Sequence, residues 1–295
     1  MSTTPSPKTI LVTGATGKQG GALIDSILAS KSAPSFHLIA VTRDATSTRA
    51  RHLATRPGVS VIQGDLSRPA ALFEAAARPI WGVYSHQGKA LVDAAAAHGV
   101  RRFVYSSGDR GGPERSAVDP TDVRNFAAKF RVEKHLEAAA ARESERGMTF
   151  SILRPVTFFE NLGGDLHGRG FARMWEQMGD KKLQFVSTAD IGWFAAQRFL
   201  DPERYRNDAV TLVGDELAQA EAEVIFREVT GLSMPMAPCL IGSAVKFVQK
   251  GTVGDMFRWF EKSGYGGSVE ECRAVYPQMK DFRGWLEENK GRWTA

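Results

Sequence analysis

Three glycines and their neighbours carry the first chemistry legible in this chain: Thr9-Ile10-Leu11-Val12-Thr13-Gly14-Ala15-Thr16-Gly17-Lys18-Gln19-Gly20. The β-branched run predicts a strand, the glycines spaced three apart predict a tight turn, and Lys18 to Ala29 predict the helix that follows. Gly14 can turn at positive φ, Gly17 lets a ligand approach bare backbone, and Gly20 lets the helix pack closely. The N–H groups and positive dipole end at such a helix start hold anions, so the expected occupant is a pyrophosphate. A turn that binds nothing is the plainer reading, and the flanking strand and helix weigh against it.

Further candidates follow in order along the chain. A second predicted strand ends Ala40-Val41-Thr42-Arg43-Asp44, where an adenosine ribose would lie. A guanidinium forks onto a 2′-phosphate, whereas a carboxylate accepts from a 2′-hydroxyl. Arg43 ahead of Asp44, with Lys18 nearby, favours NADP(H) over NAD(H); Asp44 as the ribose reader stays open. Asp65, in Gln63-Gly64-Asp65-Leu66, either accepts from an adenine amino group or caps the next helix. Lys129 shares a helical face with Asn125, Val132, Leu136 and Ala140, a stripe expected to bury against the sheet. A lysine there wants a hydroxyl or anionic partner, which nicotinamide ribose or Glu133 at the next turn could supply. Ser106 and Ser107 follow the fifth strand, placed to polarise a carbonyl or to cap the strand end. Phe158, Phe159 and Asn161 are expected to line the nicotinamide end of a substrate cleft, with packing between lobes as the alternative. His86, at a strand's C-terminal end, is read as a solvated loop residue.

These residues need a frame to position them. Strands are expected at Phe36–Thr42, Val59–Gln63, Ile80–Ser85, Arg102–Ser106 and Phe150–Leu153, with helices at Ala70–Ala77, Gly88–His98 and Thr121–Arg142 between them. This alternation predicts an α/β fold, a Rossmann-type doubly wound parallel sheet with a smaller C-terminal α/β lobe. The expected organisation is a flexible tail over 1–8, a nucleotide-binding domain over 9–156 and a lobe over 157–295 interleaved with the last strands. In that lobe Val210–Val213 reads as a strand, and Gln219–Val229 and Ala244–Phe260 as helices. Ligands of such sheets bind outside the C-terminal strand ends, which puts the expected cleft between the lobes.

Composition narrows the function classes. A chain of 295 residues with 43% hydrophobic content has ample core and no disordered or fibrous signature. The first eight residues lack a signal- or transit-peptide pattern, and no apolar run approaches the length of a membrane span. The net charge of +5 is spread along the chain. Its nearest clusters, Arg49-Ala50-Arg51, Arg101-Arg102 and Lys181-Lys182, read as solvated surface, so neither nucleic acid nor membrane is an expected partner. Cys239 and Cys272 have no metal-ligand spacing, no metal is expected, and a cytoplasmic or also nuclear location follows.

Taken with Phe103-Val104-Tyr105-Ser106-Ser107, Leu153-Arg154-Pro155-Val156-Thr157-Phe158-Phe159-Glu160-Asn161, Ser187-Thr188-Ala189-Asp190-Ile191-Gly192 and the stretch Met256 to Tyr265, these motifs resemble the NmrA-like family of atypical short-chain dehydrogenases over nearly the whole chain. The resemblance implies binding of NADP(H) or NAD(H). Expected contacts are Gly14, Thr16, Gly17, Lys18, Gln19, Gly20, Arg43, Asp65, Leu66, Lys129, Pro155 and Val156. It implies no single activity: some members are redox-sensing regulators that bind a partner protein according to cofactor state, and others reduce quinones, dyes or related small molecules. Two departures stand out. Tyr84-Ser85-His86-Gln87 runs almost directly into a helix, where the family pattern implies a longer loop over the cofactor. Asn125 stands four residues before Lys129, where a standard short-chain dehydrogenase carries its acid tyrosine. Two readings result: an NADPH-dependent reductase of a quinone, enone or small carbonyl with Lys129 as the catalytic candidate, or a non-catalytic redox sensor.

Overall fold

Apolar β-branched runs make strands and the glycine or polar breaks between them make turns, and the computed structural model describes this pattern over residues 6–142, 147–238 and 253–293. The strands are β1 (Lys8–Val12), β2 (Phe36–Thr42), β3 (Val59–Gln63), β4 (Gly82–Ser85), β5 (Arg102–Ser106), β6 (Thr149–Pro155), β7 (Thr157–Phe158), β8 (Leu183–Val186), β9 (Asp208–Leu212) and β10 (Asp215–Leu217). The helices are α1 (Lys18–Leu28), α2 (Thr48–Ala54), α3 (Pro69–Ala75), α4 (Lys89–Ala97), α5 (Pro113–Val118), α6 (Arg124–Arg142), α7 (Leu166–Glu176), α8 (Thr188–Leu200), α9 (Gln219–Thr230), α10 (Val253–Lys262), α11 (Val269–Val275) and α12 (Phe282–Asn289).

Two compact units each draw on three stretches of chain. The first comprises Met1–Ser107, Arg131–Leu153 and Ile191–Val210, the second Gly108–Phe130, Arg154–Asp190 and Thr211–Ala295. The larger sheet has the order β3-β2-β1-β4-β5-β6-β9, and its strands run parallel from β3 through β6. This is a Rossmann-type doubly wound fold. The order reverses between β1 and β4, so the connections leaving these neighbours part in opposite directions and open a crevice at their C-terminal ends.

In the first unit Leu11, Ile39, Val83, Phe103 and Ile152 of the sheet pack with Leu72, Leu91, Val132 and Leu136 of the covering helices. Each such side chain contributes about 1.5–3 kcal/mol by leaving water. On the other face α8 comes close to α1: a Cβ built at Gly192 would lie 2.7 Å from the Ala22 carbonyl oxygen. A polar knot ties the N-terminal strand ends. Arg102, 1% exposed, donates to the Arg198 carbonyl, Ser151 and the Tyr205 carbonyl, while Arg198 pairs with Asp208 at 2.9 Å. Burial pulls the Arg102 guanidinium down to about 10, which still leaves it charged at neutral pH.

The second unit has a small sheet, β10-β8-β7, beneath an aromatic core. Phe159 stacks on Phe185 and Trp285, and Phe171, Trp175, Phe226 and Phe282 complete the cluster. Asp109, fully buried, accepts from the Gly111, Gly112 and Gly266 N–H groups and from the Ser116 and Thr211 hydroxyls. All its lone pairs are thereby used inside the protein.

β2, β3 and β5 have the bounds expected from sequence, while β4 starts at Gly82 and β6 extends to Thr149 and Pro155. The expected strand Val210–Val213 is displaced to Asp208–Leu212, and α2, too short to show helical periodicity, was not foreseen. Of the expected tail, residues 1–5 lie outside the described residues, and Lys8 already opens β1. Of the expected helix Ala244–Phe260, residues 244–252 lie outside them, as does Cys239; Cys272 is a buried free thiol. Among the described residues no helix is long and apolar enough to cross a membrane.

Asp190 opens α8 at 1% exposure, accepting from the Lys280 N–H at 3.1 Å. Burial raises its carboxyl from 3.8 to about 6 against the smaller opposing pull of Lys280. A raised acid is a penalty that is absent below the unfolded value and complete above the folded one. Stability is therefore expected to fall between pH 4 and pH 6, and Asp190→Asn to remove that slope. The variant gains on the order of 2 kcal/mol over the parent above pH 6, an advantage that vanishes near pH 4. Urea unfolding across this range measures it, and a pH-independent difference would contradict the assignment.

Candidate functional site

The glycine turn lies at the C-terminal end of β1, beside the crevice. Gly14 stands at φ +61°, and the Gly17 N–H closes the turn on the Gly14 carbonyl at 2.9 Å. A Cβ built at Gly20 would lie 2.7 Å from the Gly14 carbonyl carbon and closer still to its oxygen. The helix start therefore meets the turn on bare backbone. α1 opens at Gly17 with no side-chain cap, which leaves its positive end suited to an anion. The shape and polarity of this cradle fit a diphosphate.

The cradle is braced from beneath by side chains that the motif alone did not reveal. Gln19 Oε1 accepts from the Tyr84 hydroxyl at 3.0 Å and from the Ser106 hydroxyl at 2.6 Å. Tyr84 is fully buried, and burial pushes its phenol well above the usual tyrosine range, so it remains a neutral donor. Ser107 donates its hydroxyl to the buried Glu133 carboxylate. Both serines considered for carbonyl polarisation thus have acceptors within the protein. Thr13 bonds the Tyr84 carbonyl and Ser85, tying β1 to β4.

At the adenosine end, Asp44 turns its carboxylate back on its own loop, accepting from the Thr46 N–H at 2.8 Å and hydroxyl at 2.6 Å. Those bonds hold its carboxyl below the usual range. Arg43 is exposed beside it. Arg49, which the sequence grouped with general surface charge, reaches from α2 to the Thr16 carbonyl at 3.3 Å. Asp65 accepts from the Ser67 N–H at 2.9 Å, a local turn that lowers its carboxyl. The same Asp65, with Leu66, Ser67, Gln87, Gly88 and Leu91, lines a pocket of about 200 Å³ at the ends of β3 and β4. Asp65 does not cap the next helix: α3 is preceded by Arg68 and has no side-chain cap, because the Asp65 carboxylate closes a turn on Ser67 three residues before the helix can form. His86 is half-buried rather than solvated, with its ring against Gly14.

The second unit carries the remaining candidates. Lys129 is half-buried, and its stem passes Gly108, where a Cβ would lie 3.6 Å from Lys129 Cδ and 3.8 Å from the Pro155 carbonyl oxygen. Asn125 is exposed, so the buried line of α6 runs instead through Phe126, Val132, Glu133 and Leu136. Val156 is buried, its N–H donating to the Leu212 carbonyl. Phe158 and Asn161 are half-buried. Phe159, at 0% exposure, points into the aromatic core and has no face for a substrate. The 3₁₀ turn Phe159–Asn161 aims it inward, and Glu160 anchors that turn to the Thr188 N–H and Trp285 indole.

Comparison with known proteins matches this arrangement. The model of the NmrA-like family matches residues 6–286. An NmrA-like family domain-containing oxidoreductase, lnaB of Aspergillus flavus, is 27% identical over 271 residues, covering 80% of this chain and 77% of its own. The triphenylmethane reductase of Citrobacter sp., solved with NADP(H), superposes with a TM-score of 0.70 at 17% identity, covering 95% of this chain and 99% of that one. NmrA, a negative transcriptional regulator, superposes equally well at 0.70 and 18% identity, over 96% and 95% of the two chains. At such identities the two solved structures share the fold.

Gly20→Ala places a methyl against the Gly14 backbone, which cannot rotate away. The expected loss is about 1–3 kcal/mol of stability in urea unfolding. A variant as stable as the parent would mean that the turn has room that the geometry denies it.

Proposed function

Because the chain belongs to the NmrA-like family, we propose that it binds a dinucleotide on the Gly14–Gly20 cradle, prefers NADP(H), and uses NADPH to reduce a quinone, an enone or a small carbonyl compound. The carrying observation is the pairing of that cradle with an exposed Arg43 beside an Asp44 already engaged by Thr46. A carboxylate held by its own loop repels a 2′-phosphate less effectively than one aimed outward, and a guanidinium can fork onto it. Asp65 and Leu66 would take the adenine, and Thr16, Lys18 and Gln19 the diphosphate with the glycines. Lys129, Pro155 and Val156 would hold the nicotinamide end.

The bound cofactor would supply a hydride. Lys129, on the bare-backbone side of Gly108, would orient the ribose hydroxyls and give a proton to the reduced substrate, directly or through water. Phe158 and Asn161 would contact the substrate. Two observations favour the second reading, a cofactor-sensing regulator: the hydroxyls of Ser106 and Ser107 donate to protein acceptors, and no tyrosine stands four residues before Lys129. In that reading cofactor state sets binding of a partner protein without hydride transfer.

Calorimetric titration with NADPH, NADP⁺, NADH and NAD⁺ is expected to give at least a roughly tenfold advantage to the phosphorylated forms, abolished in Arg43→Ala. Equal affinities in the parent would overturn the NADP(H) assignment. Lys129→Ala is expected to weaken cofactor binding without abolishing it and, at saturating NADPH, to lose at least about tenfold in substrate-dependent NADPH oxidation. If the parent consumes no NADPH with quinones or enones, and a partner protein binds only one cofactor state, the regulator reading replaces the enzyme.

A further inference from the structure

Asn125 leaves Lys129 without a phenol four residues earlier on its helix, yet the second unit brings a phenol to the end of β6 from a distant stretch of chain. Tyr265 stands in a firmly held segment. Gly264 before it turns at φ +69°, the Gly266 N–H after it bonds Asp109 at 3.1 Å, and the Gly267 N–H bonds Gln184 at 3.1 Å. Its ring packs on Phe126 of α6 and on Trp259 and Phe260 of α10, at centroid distances of 6.4, 5.5 and 5.0 Å. Phe126 in turn lies by the Lys129 stem. A Cβ built at Gly108 would be 3.6 Å from Lys129 Cδ, 3.8 Å from Phe126 Cε1 and 3.8 Å from the Pro155 carbonyl oxygen.

Just past Pro155, Thr157 Oγ1 donates to the phenol oxygen at 3.2 Å. Two hydroxyls joined by one bond hold two protons and use one. Thr157 is 4% exposed and Tyr265 half-buried, so the proton left over belongs to the more open partner. The Asp109 carboxylate, whose charge Tyr265 feels, is already filled by other donors, and among the described residues nothing accepts from the phenol. Burial, the largest influence, holds the phenol above the usual tyrosine range, so it keeps that proton at neutral pH. A largely desolvated donor without an acceptor is costly, and a ligand that brings an oxygen relieves the cost.

We infer that Tyr265 is a substrate-binding residue whose O–H, aimed by Thr157 and steadied by the surrounding rings, takes the carbonyl oxygen of the substrate. This assignment rests on the reductase reading above and adds to it the phenol that α6 lacks. A carbonyl compound satisfies the donor, whereas a hydrocarbon of the same shape leaves it unpaired, so the residue selects for the oxygen itself.

The experiment compares acetophenone with ethylbenzene, in which two hydrogens replace the carbonyl oxygen, as ligands of the full chain in excess NADP⁺, where no hydride can be given. Calorimetry is run on the parent, Tyr265→Phe and Thr157→Val, with the unfolding temperature of each. The parent is expected to prefer acetophenone, and Tyr265→Phe to lose roughly three- to tenfold for acetophenone alone, the range of one neutral hydrogen bond. Thr157→Val, which leaves the phenol its proton, is expected to lose less. Equal acetophenone affinity in the parent and Tyr265→Phe would overturn the assignment and leave the reductase reading to stand on NADPH consumption by the parent. A loss shared by both ligands and matched by a fall in unfolding temperature would overturn it too, reducing Tyr265 to a prop of the aromatic cluster. A parent with no preference for acetophenone would overturn it whatever its turnover, and one that also oxidises no NADPH with quinones or enones would sink the reductase reading with it.

Discussion

Helix α1 can meet the glycine turn only because residue 20 has no Cβ, and the chemistry of the first unit follows from that contact. With the helix start pressed on the Gly14 backbone, Gln19 reaches the Tyr84 and Ser106 hydroxyls, which rise from two other strands. β4 and β5 are thereby tied at their C-terminal ends to one amide oxygen of α1. A low-dielectric setting strengthens such bonds and makes each costly to leave unmade, so the brace holds the turn in one geometry. The start of α1 is fixed by a backbone approach distance and by the amide of Gln19 held between two hydroxyls.

The opposite ends of the strands serve another purpose. Arg102, Arg198, Ser151 and Asp208 gather where β5, β6 and β9 begin, and their bonds run mostly to carbonyls and to one another. Removing a single partner from such a buried set leaves a charge without compensation, which costs more than the pair itself contributes. The polar knot and the glycine turn thus lie at opposite ends of one sheet.

Much of this was legible in the sequence, and the reasons differ from residue to residue. The Gly14–Gly17–Gly20 spacing exposed the turn because only glycine satisfies its backbone demands, and the alternation of β-branched runs with helical periods exposed the sheet. Arg49 stayed hidden because its reach to Thr16 depends on α2, which is too short for a periodic signal. The Phe158-Phe159 pair was read as one surface, yet a 3₁₀ turn sends Phe159 into the core and leaves Phe158 half-buried. Periodicity alone placed Asn125 on the buried face of α6. The sequence spacing could not show that Phe126 and Glu133 would carry that face instead, because the rotation of a helix is set by what it packs against.

The buried carboxylate of Asp109 joins residues far apart in the chain: its donors include the N–H of Gly266, 157 positions downstream. Loop closure over such a span can be rewarded only once both ends exist. During synthesis the ribosome releases the last stretch of the first unit, Ile191–Val210, well before Gly266 emerges. The sheet of the first unit can therefore form while the central carboxylate of the second still lacks one of its donors. A chain cut short before residue 266 would leave that carboxylate with its Gly111, Gly112, Ser116 and Thr211 donors but without the Gly266 N–H that fastens the distant end of the chain to it.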